Sequence, residues 1–485
     1  MKKEFALLLC AALLIAALAG CGTVSASSPQ STPAAASGTI AATAVAQTGT
    51  ETVVEAVYTM DDQFSQRDMT QTADLSEAKT IVLESGRDVT ITEAGVYVLR
   101  GTAENTTVIV EAGDEDKVQL VLDGVSITNA DFPCIYVKNA DKTFLTTTDS
   151  ENTLTVTGSF RADGDTGTDA VIFSRDDLTL NGTGTLTLSS PENGVSCKDD
   201  LKITGGTLSI TCAADALEAK DSIRVAGGSI IILTEKDGLH AEDSDDDTTG
   251  YVYIAGGSLS IRAGDDAIHA TTVLQIDGGE LTLEAAEALE GTRVQVNGGT
   301  LNISASDDGI NGSHKSKSMT VAVEITGGTI TINMGAGDTD AIDSNGDLTI
   351  TGGTLDITAQ SPFDYDGTLT HTGGTITLNG QETDTITNQF GGMMGGPGGG
   401  FGGKGGFPGG QEGEPPQGGF PGGQEGESPQ GGFPGGQEGE PPQGGFPGGQ
   451  EGDPPQGGFP GGQGGQSPEG GRPGGMPPQG NQKTV

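Results

Sequence analysis

Acidic residues recur at a fixed phase through the middle of the 485-residue chain. The pattern Asp-[Ala/Gly]-[Ile/Leu]-x-[Ala/Gly] begins at Asp215, Asp237, Asp266 and Asp308, with variants at Asp169, Asn193, Glu287 and Asp340. Three residues further on, a second polar series follows: Ser196, Glu218, His240, His269, Glu290, Asn311 and Asp343. More acids flank these positions at Asp265, Asp307 and Asp338. If the copies stack in phase at a strand spacing of ~4.8 Å, facing carboxylates repel by ~1 kcal/mol in water and ~3–4 kcal/mol at an effective dielectric of 20. A hard cation held by carboxylate and carbonyl oxygens offsets that repulsion, and an oxygen-rich ligand set selects Ca²⁺ over Zn²⁺. Several Ca²⁺ ions are therefore expected on Asp215, Glu218, Asp237, Asp265, Asp266, Glu287, Glu290, Asp307, Asp308, Asp340 and Asp343. The other reading has each Asp capping a turn through backbone amides. It accounts for the first series better than for the second. His240 and His269 share a phase on adjacent copies and are candidates for ligand contact, for a transition metal, or for simple stacking.

The elements that position these residues are short strands. Gly-Gly followed by Thr, Ser or Glu and then aliphatic-x-aliphatic starts at Gly205, Gly227, Gly256, Gly278, Gly298, Gly327, Gly352 and Gly373. Each pair is preceded by another alternating segment, such as Leu201-Lys202-Ile203 or Val294-Gln295-Val296. Alternation of period two reads as strand, and Gly-Gly permits the sharp corner between strands. The shortest repeats are 20 to 22 residues. Their extended contour of ~70 Å suits one coil with three short faces. The locked phase of the two motifs opposes a sandwich or propeller built from hairpins. The fold class expected is all-β, a right-handed parallel β-helix solenoid over residues 79–380, in which each coil pairs with the next. Two corners are longer than the rest: 19 residues separate Asp237 and Asp308 from the following Gly-Gly, against 11 to 12 elsewhere. One insertion is acidic (Glu242, Asp243, Asp245, Asp246, Asp247) and the other basic (His314, Lys315, Lys317). Emerging three coils apart on one edge, they either rim a cleft with a cation at its floor or pair with each other. His240, His269, Lys315 and Lys317 are the candidate ligand-binding residues of that cleft.

The run Leu122-Asp-Gly-Val-Ser-Ile127-Thr-Asn129, then Ile135-Tyr-Val137-Lys, then the Gly-Gly-Thr and Asp-Gly-Ile coils, resembles the clostridial polysaccharide-lyase-like carbohydrate-binding β-helix family across roughly residues 80–380. The resemblance implies a right-handed β-helix related to calcium-dependent pectate lyases, calcium binding, and affinity for cellulose or polygalacturonate without established cleavage. Elimination on a uronate requires a base beside the metal. Lys198 and Lys220, two residues past the second series, are the geometric candidates. Their acidic setting keeps an amine protonated and favours ion pairing instead. No Gly-x-Ser-x-Gly, P-loop or HExxH motif occurs. A calcium-dependent binder of plant-type or acidic polysaccharide is expected. A pectate-lyase-like enzyme and a structural or adhesive surface spacer are the alternatives.

Composition agrees with a thin, polar architecture. The chain has 82 Gly, no Trp and a net charge of −44, which excludes attraction to nucleic acid. Lys2 and Lys3, the apolar run Phe5 to Ala19, and Leu18-Ala19-Gly20-Cys21 resemble a bacterial lipoprotein signal over residues 1–20, with Cys21 the lipidated residue. An ordinary secretory signal cut near Ala26 is the alternative. A monomer anchored by lipid at the extracellular face of the bacterial cell membrane is expected. Residues 21–78, rich in Ala, Thr, Ser and Gln, read as a flexible tether. Residues 381–485 read as a disordered Gly/Pro/Gln tail, with a 13-residue repeat carrying Phe407, Phe420, Phe433 and Phe446. Cys134, Cys197 and Cys212 fit no metal-knuckle spacing and read as buried thiols, with a Cys197–Cys212 bridge left open.

Overall fold

The computed structural model describes residues 54–335 and 339–388. The signal segment, Cys21, Asp338 and the repeat tail lie outside the described residues. Within them the chain is nearly all strand, and the one helix is the four-residue Met60–Gln63.

Strands pair in parallel with partners one repeat away along the chain, forming three ladders. The first carries the segments that follow the Gly-Gly corners: Thr207–Cys212, Ser229–Thr234, Ser258–Arg262, Glu280–Ala285, Thr300–Ala305, Thr329–Met334 and Thr354–Thr358 pair in turn. The second carries the Asp-Ala-Ile segments, among them Asn193–Cys197, Leu217–Ala219, Leu239–Ala241 and the start of Asp266–Ile276. The third carries the strands before each corner, such as Asp200–Ile203, Ser222–Val225 and Tyr251–Ile254. At the C-terminal end Gln381–Thr383 folds back antiparallel on Thr375–Leu378.

Alternation explains the burial. In the first ladder Ile210, Ile232, Ile261, Leu283, Ile303 and Ile332 stand in register and are all buried, while their neighbours point outward. Stacked aliphatic columns of this kind remove apolar area from water at every step, ~25 cal/mol per Å². The corners demand glycine. Gly299 sits at φ +89°, and a Cβ on Gly298 would lie 2.3 Å from the Asp277 carbonyl oxygen of the previous repeat. Cys134, Cys197 and Cys212 are buried free thiols, so no Cys197–Cys212 bridge forms.

The expectation of a tether running to residue 78 is corrected for its last part. Residues 54–76 dock along the third ladder. Tyr58 stacks on Tyr251 at 4.4 Å, and Phe64 lies against Tyr253. The Gln275 amide nitrogen donates to the Tyr58 carbonyl oxygen (2.9 Å), and its oxygen accepts the Tyr58 backbone N–H (2.8 Å). Asp68, 1% exposed, enters between Lys142 (3.0 Å) and Lys202 (3.6 Å). Low local hydrophobicity hid this because the docking relies on a few aromatics and one buried charge, not on a periodic stripe. The ordered body also runs past residue 380: Ile386 is buried and the Asn388 amide donates to the Tyr365 carbonyl oxygen at 2.6 Å.

Candidate functional site

The second series of polar residues is in register. Ser196 pairs with Glu218, Glu218 with His240, His240 with His269, His269 with Glu290, Glu290 with Asn311, and Asn311 with Asp343. The column continues one repeat further, from Asp343 to Asp364, a residue that sequence reasoning missed. Asp364 follows Ser361-Pro362-Phe363 instead of the usual Asp-Ala-Ile, so its only sequence signal was its 21-residue spacing from Asp343.

The first series does something different. Its carboxylates accept the backbone N–H of the equivalent residue one repeat later. Asp237 donates its N–H to Asp215 Oδ1 (3.2 Å), Asp266 to Asp237 Oδ1 (2.9 Å), and Asp340 to Asp308 Oδ1 (3.2 Å); Asn193 Oδ1 receives Asp215 in the same way (2.9 Å). These residues therefore satisfy backbone amides one repeat away, and not the amides of their own turns. One oxygen each of Asp215, Asp237 and Asp308 is occupied in this way, and the second oxygen of Asp237 is held by His240 Nδ1. Asp265 and Asp307 are exposed beside them.

Charge is unevenly compensated along the column. Burial, followed by repulsion from Asp343, pushes the Asp308 carboxyl up to about 7. Burial and the nearby Asp364 push Asp343 up to about 6. Glu287 is raised by burial and by Glu290, and Asp266 and Asp215 are also raised, chiefly by burial. At the centre the balance reverses. Burial would lower His269, but its hydrogen bonds to Asp266 and Glu290 outweigh this and lift it to about 10. Burial opposes ionisation of Glu290, yet bonds from His269 (2.8 Å) and Lys315 (2.7 Å) hold its carboxyl well below the usual range. Asn311 joins the two ends, donating its amide to Glu287 Oε2 at 2.9 Å. The oxygens Asn311 Oδ1 and Asp364 Oδ1 are buried and lack a hydrogen-bond partner. Together with Asp343 between them, they present the hard oxygen donors that Ca²⁺ takes.

The two long corners converge. Ser316 Oγ donates to the Asp247 carbonyl oxygen (2.6 Å) and the Lys317 N–H to Asp247 Oδ2 (3.0 Å). Beneath this contact lies a pocket of ≈190 Å³ lined by Glu242, Asp243, His269, Thr271, Lys315 and Lys317. The loops thus pair with each other and border a pocket. Lys317 lines it, while the Lys315 ammonium is engaged by Glu290 within it. Lys220 pairs with Asp243 (3.0 Å), which raises its pKa above the ordinary lysine value, and Lys198 pairs with Glu218 (3.0 Å). A larger open depression of ≈450 Å³ between Arg262, Glu284, Ser304 and Met334 lies on the outer face of the first ladder, away from this column.

The carbohydrate-binding domain-containing protein family matches over residues 85–338 and 287–390. A relative in Acetivibrio thermocellus, described as a carbohydrate-binding domain-containing protein, is 39% identical over 126 residues, 25% of this chain and 44% of that protein. The chain thus spans less than half the length of that relative. A solved structure, the polysaccharide lyase-like protein from C. thermocellum as a gadolinium derivative, is 32% identical and superposes with a TM-score of 0.40, covering 46% of this chain and 93% of that one. With its family match running almost from the first ladder strands to the last, the chain belongs to the carbohydrate-binding domain-containing protein family.

Proposed function

We propose that the protein is a calcium-dependent binder of acidic polysaccharide, a right-handed parallel β-helix held by a lipid on Cys21 at the outer face of a bacterial membrane, and that it does not cleave its ligand. Family membership supports the carbohydrate. The three ladders, each strand paired one repeat onward, support the coil. The observation that carries calcium is the column Asn311–Asp343–Asp364, with buried unpartnered oxygens at both ends and an Asp343 carboxyl raised by its acidic neighbours. Glu287 and Asp308, both raised, extend the same donor set. Calcium there supplies the positive charge that a chain of net charge −44 needs to meet a uronate carboxylate.

The state of the lysines supports binding over elimination. A base must be neutral, and Lys220 is driven the other way by Asp243. The test is calorimetric titration with polygalacturonate, with and without Ca²⁺, while unsaturated product is followed by ultraviolet absorbance. Heat that requires Ca²⁺, with no product, is expected. The paired substitution Asp343→Asn and Asp364→Asn lowers Ca²⁺ affinity at least tenfold. Unsaturated product would assign the protein to the lyases, and absence of heat in both conditions would remove the glycan reading.

A further inference from the structure

Two of the four histidines in the chain, His240 and His269, stand on consecutive repeats with ring centroids 4.7 Å apart and planes 15° from parallel. Each ring is held at Nδ1 by the carboxylate three residues before it. His240 Nδ1 bonds Asp237 Oδ2, and His269 Nδ1 lies 3.0 Å from Asp266 Oδ2 and 2.8 Å from Glu290 Oε2. Both Nε2 atoms therefore face the opposite way, toward Glu242 Oε2, at 3.1 Å from His240 and 3.9 Å from His269. The Asp-x-x-His spacing that makes this arrangement is local to each repeat, and the ladder register brings the two copies together. Glu242 follows directly on the strand Leu239–Ala241, where the acidic loop begins.

We propose that His240 Nε2, His269 Nε2 and Glu242 Oε2 form a site for one divalent transition metal of the zinc class, separate from the oxygen-only coils and independent of the glycan reading. Once the ion displaces the Nε2 proton of His269, two imidazoles with one carboxylate are a borderline donor set that Ca²⁺ does not prefer and Zn²⁺ does. Carboxylates on both Nδ1 atoms are the supporting bonds that fix tautomer and ring direction in metal-binding histidines. The three donor atoms lie within 4.8 Å of one another. Bonds of about 2.0–2.1 Å hold donor atoms ~3.4 Å apart in a tetrahedron. Glu242 Oε2 already lies 3.1 Å from His240 Nε2 and 3.9 Å from His269 Nε2, so the adjustment an ion requires falls on the stacked imidazoles, of which His240, its side chain 21% exposed, is the freer to turn out of the stack. Glu242 and His269 both line the ≈190 Å³ pocket, so the remaining coordination position faces open space and takes water or an oxygen ligand. The other acid clusters of the second ladder offer no such pair of imidazoles among the described residues.

The test uses the folded chain stripped with chelator, returned to excess Ca²⁺, and titrated with Co²⁺ in the absence of any glycan. One equivalent should bind, with the visible ligand-field bands of a low-coordinate site, and Zn²⁺ should displace it. Glu242→Gln, on the exposed loop and so without consequence for folding, should weaken Co²⁺ at least tenfold. His240→Gln and His269→Gln should abolish the bands. Asp237→Asn, which alters only the supporting bond, should cost about 10–100-fold in affinity. Far-ultraviolet circular dichroism confirms that each variant is folded. Absence of the bands, their persistence in a folded His269→Gln protein, unchanged affinity in Glu242→Gln, or displacement of Co²⁺ by Ca²⁺ would each overturn the proposal. Polygalacturonate plays no part in the experiment, so a failed glycan titration leaves this result intact, and the reverse holds too.

Discussion

Asp308 shows how one carboxylate serves two purposes at a cost. Its Oδ1 accepts the Asp340 backbone N–H, and its charge faces Asp343. Because its carboxyl is raised to about 7 in the fold, its contribution to stability is present below the unfolded value near 3.9 and is lost as pH climbs through about 7. Asp308→Asn keeps the acceptor and removes the charge. In chelator, the variant should match wild type near pH 4 and exceed it near pH 8, by on the order of 1 kcal/mol once solvent screening is allowed for. Urea denaturation at the two pH values measures this. If Ca²⁺ binds as proposed, adding it should erase the advantage by compensating the charges of Asp308 and Asp343. An advantage that is equal at both pH values would locate the effect in packing.

At the scale of elements, the segment 54–76 is attached to the third ladder by side chains from distant parts of the chain. Asp68 anchors it. Burial alone would raise its carboxyl, but bonds from Ser65 and Lys142 override this and hold it below the ordinary range. The sign is therefore opposite to that at Asp308. Its contribution is present above the unfolded value near 3.9 and is lost as pH falls toward the depressed folded value. Removing one member of a buried ion pair strands the other, a cost of about 3 kcal/mol. Asp68→Ala leaves Lys142 and Lys202, both about nine-tenths buried, without this partner. Hydrogen exchange should then show lost protection at Val57 and Tyr58 while amides of Tyr251–Ile254 stay slow. Equal loss in both would mean that the segment and the ladder unfold as one unit.

For the whole molecule, what matters is that each strand pairs one repeat back and one repeat on. Stability is then a sum of neighbouring interfaces, and opening spreads inward from the ends. Exchange should be slowest in the middle of the ladders, at Leu281, Leu283, Ile303 and Val296, whose side chains are at most 1% exposed. It should be fastest at Leu369–His371 and Thr375–Leu378, where fewer repeats lie outside and exposure rises. Uniform protection along the chain would instead indicate a single cooperative block.

The repeats, the strand class and the in-phase polar column were determined by local sequence. Gly-Gly at a corner, aliphatic alternation and an acid at constant spacing are signals that survive without tertiary context, because each repeat reproduces the same steric and burial constraint. Sequence spacing alone also located the two long loops on one edge. The tertiary structure decided what the acids do. Asp215 and Asp237 accept amides one repeat away, Glu290 is neutralised by His269 and Lys315, and Asn311 and Asp364 keep buried oxygens without partners. Composition cannot separate these fates, since an Asp beside an amide, beside a lysine or beside another Asp reads as the same letter. The docking of residues 54–76 was hidden for a related reason: a segment of mixed polar sequence becomes ordered only where Tyr58 meets Tyr251 and Asp68 meets two lysines that lie more than seventy residues further along the chain. Partners that distant in sequence are brought together by the ladder register, and register is a property of the assembled stack.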